Sequence, residues 1–154
     1  MIERDSMMRE ITNILFATDF SDSSLSAADY AVTLAKLTGA QLHVLHVINE
    51  LDEHQRVMVP REAFLVLEKG VEIQALKELN RFCKEQAAGL VTATHAVVGA
   101  PPQKIIETSE TVHADLIVMG THGRSGLEHV IVGSTAERVV RRSKVPVLTV
   151  RSQS

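Results

Sequence analysis

Five short apolar runs, separated along the chain by four longer segments with helical periodicity, constrain the fold of this sequence most. The runs are rich in β-branched residues, are four to eight residues long and are bounded by polar or turn residues, as is typical of buried strands. They cover 13–18, Gln41–Ile48, 91–98, 116–119 and 145–150. Strands that alternate with helices form parallel sheets with right-handed crossovers, so we expect an open five-stranded α/β sheet with helices on both faces.

The segments between these runs have the spacing of amphipathic helices. We predict helices over 23–37, over most of 60–88, from Pro101 or Pro102 onward, and over 134–143. The first helix is predicted to turn Leu25 inward, and the second to turn Val71 and Cys83 inward. Ser134 and Glu137 have the spacing of a capping box at the start of the last helix. Residues 50–60 interrupt the alternation and are expected to form a polar connection.

Composition favours one domain with an aliphatic core. The chain has 154 residues, 45% of them hydrophobic but only 3% aromatic. A chain of this length can bury enough surface to fold without a metal or a disulfide, and its single cysteine, Cys83, cannot form an internal one. We interpret Cys83 as a small core residue, with a redox or catalytic thiol as the alternative. We expect one domain over 11–154, preceded by a flexible segment over 1–10.

The charge of the chain argues against several classes of partner. The formal net charge is −3, which gives no broad attraction for nucleic acid or for an anionic membrane. No apolar run approaches the length of about 20 residues that a membrane span needs. The first ten residues lack the apolar stretch of a signal peptide. A cytoplasmic protein with no nucleic-acid or membrane partner is therefore expected.

The ends of the first and fourth predicted strands carry the residues best suited to bind a ligand. In open parallel sheets, ligands bind outside the carboxyl ends of the strands, where the strand order reverses. Thr18 and Asp19 end the first strand, and a glycine-containing loop from Gly120 to Gly133 follows the fourth. If these strands are neighbours, a carboxylate and the loop face one crevice.

The loop after the fourth strand has features of a phosphate site. Its glycines allow the backbone to approach a ligand, and successive N–H groups can form an anion-binding nest. Gly133 and Ser134 begin a helix, where free N–H groups and the helix dipole favour phosphate. The Ser134 hydroxyl can contact phosphate or a phosphate-bound metal, although capping would compete with that use. The loop contains neither a Walker A sequence nor G-x-G-x-x-G.

The spacing Gly120-x2-Gly123-x9-Gly133-Ser134 resembles the ATP loop of the universal stress protein family. The resemblance extends over nearly the whole chain and includes 18–21, 42–47, 114–120 and 145–148. It implies a Rossmann-like sheet of order 3-2-1-4-5, of the adenine nucleotide alpha hydrolase type. Ala17 departs from the family, because many ATP-binding members have proline there.

The resemblance also implies which residues contact the nucleotide. Asp19 would contact the adenosine end, and Val47 would pack against adenine. The glycines, Ser134 and Thr135 would hold ribose and phosphates. The complete set of predicted nucleotide-binding residues is Ala17, Thr18, Asp19, Val47, Met119, Gly120, Gly123, Arg124, Gly133, Ser134 and Thr135. The predicted ligand is ATP, with AMP or ADP as alternatives, and Mg²⁺ would be held by the phosphates and Ser134 rather than by a protein metal site.

Simpler interpretations of these residues remain open at this point. Asp19 could simply cap the turn into the first helix, the glycine loop could be an empty surface loop, and Arg124 could be a solvated side chain. His43 and His46 lie three apart on a strand and should point to opposite faces, which argues against a zinc site. The basic residues Arg141 and Arg142 complement the dipole at a helix C-terminus.

The function that these residues favour is that of an ATP-binding regulatory module of the stress response. A slow ATPase is one alternative, with His122 or Arg124 near the γ-phosphate, although no residue pair forms a clear general base. A partner-binding dimer with a vestigial nucleotide pocket is another. Pro146 fits an edge strand, and relatives commonly pair through this strand. We therefore expect a homodimer through 145–150 and a protein partner that the sequence does not identify.

Overall fold

The computed structural model describes residues 8–50, 53–90, 92–122 and 132–152. Strands and helices alternate along the chain, as predicted. The elements are β1 (Asn13–Ala17), α1 (Asp22–Thr38), β2 (Gln41–Ile48), α2 (Glu53–Met58), α3 (Arg61–Gln86), β3 (Thr92–Val98), α4 (Pro101–Thr111), β4 (Leu116–Gly120), α5 (Ser134–Arg142) and β5 (Val147–Val150).

All five strands form one parallel sheet of order β3-β2-β1-β4-β5. The predicted fold and strand order are therefore confirmed. The chain runs outward from β1 through β2 to β3, crosses to β4 and runs outward again to β5. The strand order consequently reverses between β1 and β4, whose carboxyl ends lie side by side.

Two apolar layers hold the helices against the two faces of the sheet. On one face, Phe16 of β1 packs among alanines of α1 and against Phe82 of α3, with ring centroids 5.5 Å apart. On the other face, Leu15 and its neighbours pack against Ile105 of α4 and Val139 of α5. Successive side chains along each strand point to opposite faces and so contribute to both layers, as expected for a sheet that is covered on both sides.

Local sequence signals mark both ends of α1, and its start lies next to the carboxyl end of β1. Ser21 caps the helix by accepting a hydrogen bond from the Ser24 N–H, at 3.3 Å. Gly39 ends the helix with φ of 71°, a left-handed conformation that glycine adopts without a steric penalty. The start of α1 is therefore held next to the ends of β1 and β4.

Several local predictions differ from the structure. The segment 50–60 is not only a connection, because it contains α2, and β5 begins at Val147 rather than at 145. Leu25 and Val71 are 49% and 46% exposed rather than turned into the core. Apolar residues cover more than one side of the N-terminal half of α3, so helical periodicity alone does not define its buried face.

Cys83 packs at the margin of the first core layer, as expected for a small core residue. Burial raises the pKa of its thiol, a shift that the Thr92 side chain opposes through a hydrogen bond. A raised pKa keeps the group protonated and unreactive at neutral pH. No helix in the described part of the chain combines the length and the hydropathy that crossing a bilayer requires.

Candidate functional site

A cleft of about 720 Å³ opens at the carboxyl ends of the strands, where the strand order reverses. This volume falls within the range of small-molecule sites, about 300–1,000 Å³. All predicted site residues in the described part of the chain line it: Ala17, Thr18, Asp19, Val47, Met119, Gly120, Gly133, Ser134 and Thr135. The predicted residues Gly123 and Arg124 lie outside the described residues.

The turn after β1 presents Asp19 to the cleft. The Ser21 N–H donates to Asp19 Oδ1 at 3.0 Å, and the Phe20 N–H donates to Thr18 Oγ1 at 3.0 Å. These bonds support Phe20 in the left-handed region, with φ of 62°, which is uncommon for a bulky side chain. Asp19 therefore caps the turn that leads into α1, as the simpler interpretation predicted, while Ser21 is the N-cap of the helix itself.

His46 forms part of the cleft wall beside this turn. Its Nδ1 lies 2.8 Å from the Thr18 carbonyl oxygen, and its ring contacts Phe20, with centroids 4.7 Å apart. Because a carbonyl oxygen can only accept a hydrogen bond, Nδ1 carries the proton and donates it. Nε2 is then an acceptor when the ring is neutral. The imidazole is therefore held in one orientation at the end of β2, between the turn and Val47.

Gly120 lets the end of β4 lie directly against the start of α1. A Cβ at this position would lie 2.8 Å from the Ser23 carbonyl carbon and 2.9 Å from the Ser24 nitrogen, and would also overlap Ser23 Oγ. Ser23 Oγ accepts from the His122 N–H at 3.3 Å. The glycine thus has a packing role in the structure, separate from the ligand contact that the sequence predicted.

The N-terminus of α5 forms the opposite wall of the cleft. Gly133 is the N-cap and provides no capping side chain, so the predicted capping box between Ser134 and Glu137 is wrong. Glu137 instead pairs with Arg141, at 2.8 Å. The Gly133 N–H donates to the Thr121 carbonyl and is therefore committed to the protein. The N–H groups of residues 134–136 lie in the first turn, where an α-helix provides no acceptor for them.

Two helices begin at this cleft, and their first turns differ in chemistry. Helix α4 begins with Pro101 and Pro102, both of which line the cleft. Proline has no backbone N–H, so these residues offer apolar rings instead of donors. Ile105 adds a further apolar surface on the same side. The cleft therefore has an apolar side at α4 and a donor-rich side at α5.

The two sides of the cleft also differ in charge. The described lining contains two formally charged side chains, Asp19 after β1 and Arg138 on α5. A ligand with an anionic end is therefore favoured with that end toward α5. In the described part of the chain, no group of three or more His, Cys, Asp or Glu side chains is arranged to hold a metal ion.

His43 and His46 point to opposite faces of the sheet, as predicted. His43 Nδ1 lies 3.1 Å from His95 Nε2, and His43 Nε2 lies 3.3 Å from Asn13 Oδ1. Burial lowers the pKa of both His43 and His95, and the neighbouring His95 lowers that of His43 further. This pair belongs to the packing of the α4 and α5 face rather than to the cleft.

Sequence reasoning missed part of the cleft wall. The further lining residues are Ser24, Leu45, His46, Ile48, Asn49, Val71, Ala100, Pro101, Pro102, Ile105, Thr121, Ala136 and Arg138, besides His122, which the sequence offered only for the ATPase alternative. A signal was available for those on β2, because they immediately flank Val47. For Arg138, the signal was its spacing of one helical turn from Ser134. Val71 was expected in the core rather than in the cleft.

Comparisons with known proteins agree with this fold. The family model described as the universal stress protein family matches residues 10–151. Universal stress protein MJ0531 of Methanocaldococcus jannaschii is 38% identical over 144 residues, covering 90% of this chain and 81% of that protein. Universal stress protein YxiE of Bacillus subtilis is 36% identical over 145 residues, covering 90% of this chain and 97% of that protein.

Solved structures of similar proteins have the same fold. The structure of the hypothetical protein MJ0577 has a TM-score of 0.84 and 29% identity, covering 95% of this chain and 99% of that one. A universal stress protein in complex with cAMP has a TM-score of 0.64 and 31% identity, covering 94% of this chain and all of that one, 100%. With nearly the whole sequence matched by the family model and by these relatives, the chain belongs to the universal stress protein family.

Proposed function

We propose that this protein binds ATP in the cleft between β1 and β4 and acts as a nucleotide-dependent regulatory module of the stress response. The observation that carries the proposal is the convergence of Asp19, Val47 and the first turn of α5 on one cleft. The complex of a 31% identical relative with cAMP supports an adenine nucleotide as the class of ligand. The cytoplasm is the compartment we propose for this activity.

The chemistry of the two sides orients the nucleotide. Adenine would pack on the apolar side against Val47 and the rings of Pro101 and Pro102. The phosphates would accept hydrogen bonds from the N–H groups of Ser134 and Thr135, where the helix dipole also favours an anion. Asp19 would contact the ribose, since a carboxylate accepts hydrogen bonds from sugar hydroxyls. Mg²⁺ would bind to the phosphates and the exposed Ser134 hydroxyl.

Ligand binding would act on partners through the segment between β4 and α5. A ligand shifts a conformational equilibrium only by its differential affinity for the two states. The two states are the nucleotide-bound and nucleotide-free arrangements of that segment. ATP would favour the bound arrangement by contacting both Gly120 and Ser134, which flank the segment. The unidentified protein partner would then recognise the nucleotide-bound surface.

Replacing Ser134 by proline tests the proposal. Proline is favoured at the first position of a helix, and Gly133 has φ of −67° and ψ of 158°, which suits a residue before proline. Ser134→Pro therefore removes one N–H and the hydroxyl while preserving α5, and Ser134→Ala removes only the hydroxyl. Isothermal titration should show ATP affinity falling about tenfold or more for Ser134→Pro, the loss expected for a hydrogen bond to a charged group, and less for Ser134→Ala.

Three outcomes separate the proposal from its alternatives. Unchanged ATP affinity in Ser134→Pro would contradict the placement of the phosphates. No saturable binding by the wild-type protein at millimolar ATP would reject the proposal in favour of a vestigial pocket. Phosphate release in single-turnover experiments, abolished by His122→Ala, would instead support a slow ATPase.

We also propose a two-fold dimer through β5, which is an edge strand bonded only to β4 among the described strands. The Pro146 carbonyl accepts from Ile117 of β4, and the Val150 carbonyl accepts from Thr121 just after β4. Alternation therefore directs the backbone groups of Val147 and Thr149 to the open edge. Exposed edges of this kind pair with other chains. Thr149→Pro would remove one outward N–H, and sedimentation at micromolar concentration should then show a monomer where the wild type shows a dimer. A monomeric wild type would refute the dimer.

A further inference from the structure

Arg138 is the only lysine or arginine among the described residues that line the cleft. Its side chain is exposed and forms no ion pair with another described residue, whereas Arg141 on the same helix is bound to Glu137 at 2.8 Å. Its guanidinium is therefore available to a ligand in the cleft. Neither capping nor helix-surface pairing accounts for its position.

The helix directs Arg138 toward the first turn of α5. Arg138 lies four residues after Ser134 and three after Thr135, so the three share one side of the helix. Its Cα lies about 6 Å along the axis from that of Ser134. Helical side chains lean toward the N-terminus, so the guanidinium extends back toward the free N–H groups. A phosphate chain that starts at those groups would meet it.

We propose that Arg138 is a specificity-determining residue that contacts the terminal phosphates and makes the cleft prefer ATP and ADP over AMP. The proposal rests on the proposed function. A single phosphate can be bound by the N–H groups at the start of α5, but each further phosphate adds negative charge that those dipoles match only in part. Arginine compensates that charge, because its planar guanidinium binds phosphate oxygens through two parallel hydrogen bonds.

Asp19 contributes the complementary effect. It lies after β1 and carries the only carboxylate in the described lining of the cleft. A negative charge there disfavours placing the phosphate chain toward β1, while Arg138 favours placing it toward α5. Specificity commonly uses such a repulsive group together with an attractive one.

Affinities for ATP, ADP and AMP test the role of Arg138. Isothermal titrations at constant ionic strength and Mg²⁺ would compare the wild type with Arg138→Gln and with Arg142→Gln. The control removes the same charge from α5 at a residue that does not line the cleft. Arg138→Gln should weaken ATP binding about tenfold or more, because it removes the charge and the paired hydrogen bonds to phosphate, and ADP binding by less. It should change AMP binding by less than twofold, and Arg142→Gln should change none of the three by more than twofold.

The results that would overturn the role of Arg138 differ from those that would overturn the proposed function. If Arg138→Gln binds ATP as tightly as the wild type, or loses ATP and AMP equally, the role of Arg138 is overturned while nucleotide binding stands. If the wild type binds none of the three nucleotides, the proposed function fails, and the nucleotide preference assigned to Arg138 fails with it. Titration with inorganic tripolyphosphate would then test only the contact of Arg138 with phosphates. Binding that Arg138→Gln abolishes would retain that contact, and binding that is absent or unchanged would overturn it.

Discussion

Adding one methyl group at Gly120 should destabilise the fold at the edge of the cleft. The new Cβ would lie 2.8 Å from the Ser23 carbonyl carbon and 2.9 Å from the Ser24 nitrogen, whereas carbon atoms in contact are about 3.5–4.0 Å apart. The start of α1 would have to move away from β4 by several tenths of an ångström. Because both contacts are to backbone atoms, rotation of a side chain cannot relieve them.

The expected cost of Gly120→Ala follows from this overlap. Overpacking of a well-packed site costs about 1–3 kcal/mol, and for a domain of this size each kcal/mol lowers the Tm by roughly 2–4 °C. We therefore expect a fall in Tm of roughly 2–12 °C, measured by circular dichroism, and a matching loss in urea unfolding. Adding Ser23→Ala should not rescue the variant, since the backbone contacts remain.

Gly70→Ala provides the matched control. Gly70 lies within α3, and a Cβ there would meet nothing within 4 Å. Replacing a helical glycine by alanine is favourable by about 0.8–1 kcal/mol, so this variant should be more stable than the wild type. If Gly120→Ala were as stable as the wild type or as Gly70→Ala, the close approach of α1 to β4 would be refuted.

Three further predictions concern other parts of the fold. Burial lowers the pKa of His43 and His95, so the unfolded chain binds more protons than the native one as the pH falls below about 6.5. Urea unfolding should show stability lost between pH 7 and pH 5, with a shallower slope in the His43→Gln, His95→Gln variant; equal slopes would contradict this. Asp115 accepts hydrogen bonds from the Thr12 N–H, the Thr12 hydroxyl and the Asn13 N–H at 2.8–3.0 Å, so Asp115→Ala should cost about 1–2 kcal/mol in urea unfolding. Ser21→Ala removes the cap of α1 and should cost about 1 kcal/mol, which a Tm equal to that of the wild type would disprove.

The strand order and the position of the cleft could be anticipated from the sequence because they depend on strong, redundant signals. Five apolar runs separated by helical segments leave few topologies, and the resemblance of the Gly120 to Ser134 spacing selected one of them. Gly39 and Ser21 mark the ends of α1 by local chemistry that needs no tertiary information. The same reasoning placed Thr18 and Asp19 at the switch point.

The errors arose where tertiary packing decides between local alternatives. Ser134 has the sequence of a capping residue, but α5 begins one residue earlier than that pattern requires, with Gly133 as its cap. Leu25 and Val71 fit helical periodicity, but both are largely exposed. The face that each helix turns toward the sheet is therefore not the one that the periodicity indicated. The sequence spacing placed His46 beside Val47 and Arg138 one helical turn after Ser134, but their contacts depend on which side chains the neighbouring elements turn toward the cleft.

Backbone amide shifts during an ATP titration would test the central claim most directly. In an isotopically labelled sample, we expect saturable shifts of the Ser134, Thr135 and Val47 amides with ATP. With adenosine, which has no phosphate, the Val47 amide should shift and the Thr135 amide should not. Shifts confined to residues outside the cleft, or no saturation at millimolar ATP, would contradict the claim that this cleft holds a nucleotide with its phosphates on α5.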